Sequence, residues 1–94
     1  MKIAVFDTYV TRPDGRVMHF DILVPDAGRN IEQVLQFGRR YLAAKDLPAQ
    51  TLQARECRFC HIEQATTAVQ QAVDRDGFAI LELGNCDRRA RHGR

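Results

Sequence analysis

The sequence predicts an α+β domain of element order ββαβαβ, and three observations carry that prediction. Two β-rich runs flank a Pro13-Asp14-Gly15 turn, two later segments repeat apolar residues at helical spacing, and a short apolar run closes before Gly84-Asn85. The expected architecture is two-layer: one mixed four-stranded sheet with an N-terminal antiparallel hairpin, and both helices on one face.

The hairpin spans residues 2 to 24. Its two strands are rich in Ile, Val, Phe, Thr and Tyr; between them Pro13 presets φ and Gly15 accepts the positive φ that a turn needs. Alternation sends Met18, Phe20, Ile22 and Val24 to the core and Val17, His19, Asp21 and Leu23 the other way. In the first strand Ala4, Phe6, Thr8 and Val10 match the core set, leaving Ile3, Val5, Asp7 and Tyr9 opposite. Asp7, His19 and Asp21 therefore share the second face.

Asn30 suits the N-cap of a helix over 31–45, where Ile31, Val34, Leu35, Gly38, Tyr41 and Leu42 recur at helical spacing. Gly38 within it marks close packing against the sheet. Asp46-Leu47-Pro48 ends the helix, and a third strand is expected at 54–60. Ile62, Ala65, Val69, Ala72 and Val73 predict a second helix from Glu63 to Arg75, stopped by Asp76-Gly77. Phe78 to Leu83 makes the last strand.

A chain of 94 residues with 45% hydrophobic and 28% charged content has material for one core, placed at residues 1–86. No apolar run approaches the roughly 18 residues of a membrane span, and Asp7 comes too early for a signal peptide, so a cytoplasmic protein without a membrane partner is expected. The net charge of +2 hides an asymmetry: residues 87–94 carry +3, which leaves the body at −1. Such a body offers no basic face to a phosphate backbone. Only the arginine-rich tail, expected to be disordered, is suited to RNA or a partner.

The densest chemistry is Arg55-Glu56-Cys57-Arg58-Phe59-Cys60-His61-Ile62-Glu63. Three cysteines are an odd number, and without an export signal they are expected as reduced thiols. Cys-x-x-Cys-His is also the spacing of covalent haem attachment, but that chemistry belongs to exported proteins. Zinc would take Cys57 and Cys60 with His61 or His19 and Cys86, although a regular strand sends positions 57 and 60 to opposite faces. A redox or nucleophilic thiol would use Cys60 at the start of the second helix, with Arg58 and His61 beside it and Glu63 orienting the imidazole. Cys60, His61 and His19 are thus the catalytic candidates. Against both stands plain packing, with Cys57, Phe59 and Cys60 under the helices.

Asp7, His19 and Asp21 have two readings as well. They are cross-strand polar pairs that stabilise the hairpin, or they form a patch in which His19 serves as general base or metal ligand. No P-loop, dinucleotide fingerprint, nucleophile elbow or His-Glu-x-x-His is present, so the common nucleotide-binding and hydrolase devices are missing.

Three segments carry a resemblance: Phe6-Asp7-Thr8-Tyr9-Val10, Met18-His19-Phe20-Asp21-Ile22-Leu23-Val24-Pro25, and Glu56-Cys57-Arg58-Phe59-Cys60-His61-Ile62-Glu63-Gln64-Ala65. Together they resemble a family of small bacterial proteins known only as a domain of unknown function, family two-thousand-and-twenty-four, from Met1 to about Cys86. The resemblance implies a compact α+β domain, and no activity, cofactor or catalytic residue. The functional expectation is a non-enzymatic binding or interaction domain that forms a homodimer through its uncovered sheet face. The alternative is a thiol- or zinc-dependent site on Cys57-x-x-Cys60-His61, completed by His19 or Cys86.

Overall fold

The computed structural model describes residues 1–27, 29–50 and 52–89. The chain runs β1 (Lys2–Thr11), β2 (Val17–Pro25), α1 (Ile31–Ala44), a single 3-10 turn (Ala54–Glu56), β3 (Cys57–Gln64), α2 (Thr67–Asp76) and β4 (Ala79–Gly84). At the first turn Gly15 takes φ 88°, and the Arg12 N–H donates to the Arg16 carbonyl at 2.8 Å. That closure fixes the register of the hairpin from Ile3 opposite Pro25 to Thr11 opposite Val17.

The α+β class, the four strands, the two helices and the N-terminal hairpin are as the sequence predicts; the arrangement differs in two respects. The sheet order is β3-β1-β2-β4 and every pairing is antiparallel, where a mixed sheet was expected. β2 and β3 do run the same way, but β1 lies between them. β1 and β4 are likewise separated by β2, so parallel strands never adjoin.

The helices also lie on opposite faces rather than on one. α1 packs over the face formed by Ala4, Phe6, Val10, Met18, Phe20, Ile22 and Val24, together with Leu47, Leu52 and Cys57. α2 covers Ile3, Val5, Leu23 and Ala79 with Val73, Val69 and Ala72. The cause is local: Ile3-Ala4-Val5-Phe6 and Ile22-Leu23-Val24 are buried at both parities, and a strand that is apolar on both sides needs a cover on both sides. The domain is therefore helix, sheet, helix rather than two-layer.

The helix ends follow their caps. Asn30 Oδ1 accepts the Glu32 and Gln33 N–H groups at 2.9 and 3.2 Å, as an N-cap should. A Cβ on Gly38 would stand 2.5 Å from Leu52 Cδ2 and 3.0 Å from Ile22 Cδ1, so only glycine lets α1 approach the sheet this closely. α2 starts four residues later than expected, capped by Thr66 on the Val69 N–H at 3.2 Å, and stops at Gly77 with φ 89°. The residues before it, through Gln64, extend β3 along β1 instead.

Of the tail expected after Cys86, residues 87–89 are tied to the body and 90–94 lie outside the described residues. Arg12, only 4% exposed, donates to the Asn85 and Asp87 carbonyls, each at 2.6 Å. Arg16 pairs with the Asp87 carboxylate, and Arg88 with Asp46. Among the described residues no helix is long and apolar enough to cross a membrane.

Candidate functional site

The face carrying α2 is only half covered. Beyond Val5 and Leu23 the inward positions of the two central strands change from apolar to Asp7, Tyr9, Asp21 and His19, which stay partly or largely exposed. Antiparallel register sets Asp7 opposite Asp21 and Tyr9 opposite His19, with Arg58 of β3 and Leu81 of β4 at the ends of the Asp7–Asp21 row. The alternation read in the sequence thus brings Asp7, His19 and Asp21 together. One donor atom from each lies within 4.8 Å of the others.

Each side chain has a visible constraint. His19 Nε2 stands 2.5 Å from Asp7 Oδ1, and the His19 ring stacks on Tyr9 with centroids 4.1 Å apart and planes at 11°. Behind the site the Cys86 S–H donates to the His19 carbonyl at 3.2 Å, joining the end of β4 to the same residue. The backbone of the two central strands therefore holds the cluster, not a loop.

Two carboxylates opposed on neighbouring strands repel, and at Asp21 that repulsion adds to the larger effect of burial. Partial burial, a hydrogen bond with Asp7 and the Asp7 charge push the Asp21 carboxyl up to about 6, against a smaller opposing pull from His19 and His61. Burial also acts to raise Asp7, but hydrogen bonds from His19 and Asp21 outweigh it and hold that carboxyl below its ordinary value. The pair thus separates into an ionised Asp7 and an Asp21 that keeps a proton until near neutrality. Such an arrangement can pass a proton, or exchange it for a cation that both carboxylates share.

The cysteines are not brought together. Cys57 is buried on the α1 face, where the Thr8 hydroxyl donates to its Sγ at 3.5 Å and burial pushes its thiol up. Cys60 is exposed on β3, and its contact with His61, which faces Val5, places it on the other side of the sheet. Cys86 is buried at the end of β4. All three are free thiols. Among the described residues, Asp7, His19 and Asp21 are the one group of three metal-ligating side chains within reach of each other, and neither Cys57 nor Cys86 joins His61.

One consequence of the revised β3 is direct. Cys60 sits inside the strand, seven residues before the first residue of α2, so no helix dipole acts on its thiol. Two features of the site were not anticipated. The stack of Tyr9 on His19 follows from hairpin register, which the Pro13-Asp14-Gly15 turn fixes; the β-bulge that turns Cys60 towards His61 has no local signal in the sequence.

The NMR structure of protein NE1680 from Nitrosomonas europaea is similar to this chain, with 33% identity over 93% of this chain and 100% of that one and a TM-score of 0.77. No functionally curated protein matches. The family described as a domain of unknown function (DUF2024) matches residues 1–83, and the chain belongs to it.

Proposed function

We propose that this member of the DUF2024 family is a small binding domain whose ligand is a divalent cation, held by Asp7, His19 and Asp21. The observation that carries the reading is the set of three donor atoms within 4.8 Å, two anionic and one imidazole, on adjacent central strands. Two carboxylate oxygens and one nitrogen suit zinc or manganese better than a soft, thiolate-seeking ion. Because this end of the face lies beyond α2, three protein ligands leave coordination positions open to water or to a small anionic ligand.

Isothermal titration of zinc into chelator-stripped, untagged protein tests it. One ion per chain is expected, with Asp21→Asn and His19→Ala each weakening binding by about tenfold or more. Equal, weak uptake by all three proteins would overturn the assignment.

A second reading, self-association through the same half-face, is favoured by the half-exposed apolar rim of Tyr9, Val17, Leu81 and Leu83 around the polar centre. It predicts a concentration-dependent dimer in sedimentation that Leu81→Lys abolishes. A monomer at high concentration, with no effect of that substitution, would exclude it.

A further inference from the structure

Outside the carboxylate cluster, β3 carries a second chain of titratable groups. Glu63 Oε1 lies 2.6 Å from His61 Nε2, and His61 Nδ1 lies 3.2 Å from Cys60 Sγ. Neighbouring residues of a regular strand point to opposite faces, so Cys60 and His61 could not meet in one. They meet because β3 bulges: His61 lies opposite Val5 and Phe59 opposite Phe6, with Cys60 as the extra residue between them. A bulge of this kind aims a side chain that the pleat would otherwise send away.

The order of the three groups matters. Glu63, an acceptor, takes the Nε2 hydrogen and so leaves the Nδ1 lone pair facing the thiol; a nucleophile, its base and a group orienting that base stand in series. All three side chains are exposed. Neither other cysteine can resolve a disulfide formed here, since Cys57 is buried on the opposite face and Cys86 is buried at the end of β4.

We infer that Cys60 is a monothiol exchange site for low-molecular-weight disulfides of the glutathione disulfide class. The Cys60 proton passes to His61 Nδ1 and the thiolate attacks one sulfur of the disulfide. A new Sγ–S bond forms as the original S–S bond breaks, and the departing thiolate takes the proton from His61 and leaves as a thiol. Cys60 is oxidised and the departing half is reduced, so the disulfide itself is the oxidant. With no second thiol in reach, the mixed disulfide persists until an external thiol reverses it.

The test uses the full chain with chelator present, oxidised glutathione as reagent, and intact-mass and peptide analysis as readout. One adduct per chain is expected, at Cys60, with Cys57 and Cys86 unmodified until unfolding. His61→Gln should slow the reaction about 10-fold or more and Glu63→Gln several-fold, while Glu32→Gln in the first turn of α1, the helix on the opposite face of the sheet, leaves the rate unchanged. Cys57 protection in each variant reports that the fold is intact. Adduct formation at the rate of an unassisted thiol, equal rates for the native protein and His61→Gln, or modification at Cys57 or Cys86 in the folded chain would each overturn the inference.

Discussion

Asp7 and Asp21 face each other across the two central strands, in direct register, with His19 Nε2 2.5 Å from Asp7. Like charges so placed destabilise a sheet by a few tenths of a kcal/mol up to about 1. The half-uncovered face thus carries a standing electrostatic cost, which a shared proton or a bound cation removes.

Asp21→Asn should stabilise the chain at pH 7.5 and not at pH 3.5. The folded Asp21 carboxyl titrates at about 6, above its ordinary 3.8, so its contribution to stability is fully present below 3.8 and is lost as pH rises through 6. Asparagine removes that loss, and solvent screening limits the gain to about 1 kcal/mol. Urea denaturation at the two pH values measures it; an equal difference at both would contradict the assignment of the proton.

The same proton competes with a cation. Zinc or manganese affinity should climb as pH approaches 6, by up to about tenfold per unit, and flatten beyond it once Asp21 is ionised. Calorimetric titrations between pH 5 and 8 should trace that curve, and an affinity independent of pH would point to other ligands.

Gly38→Ala should cost about 1–3 kcal/mol, because the new methyl would stand 2.5 Å from Leu52 Cδ2 and 3.0 Å from Ile22 Cδ1, two fully buried side chains that would have to shift in a packed core. The cation site lies on the opposite face, so the midpoint in urea should fall while cation affinity per folded molecule holds.

Arg12→Ala should free the chain after β4. Its buried guanidinium holds the Asn85 and Asp87 carbonyls, each at 2.6 Å, and losing both should cost about 2–4 kcal/mol. Limited proteolysis with trypsin should then cut first at Arg88 or Arg89, sites that the native chain protects longer.

The sequence made the first half of this fold legible because its signals are local. Pro13-Asp14-Gly15 sets the hairpin, Asn30 caps α1, Gly38 marks the close approach, and period-two alternation places Asp7, His19 and Asp21 on one face. The helix arrangement was harder, since Ile3-Ala4-Val5-Phe6 is apolar at both parities and only that feature hints at a second covered face. The β3–α2 boundary was hidden for a different reason. Ile62, Ala65 and Val69 mimic a helical stripe, yet backbone pairing with β1 holds Ile62 through Gln64 in the sheet until Thr66 provides a cap. Likewise, Cys60 and His61 are neighbours whose side chains meet only through a bulge.

The most direct test of the cation site is a manganese titration of the isotope-labelled chain, followed by NMR. Substoichiometric manganese should broaden the resonances of Asp7, His19, Asp21 and their immediate strand neighbours first, and Asp21→Asn should abolish that pattern. Broadening spread over exposed carboxylates such as Asp14 and Asp76, unchanged by the substitution, would contradict the account.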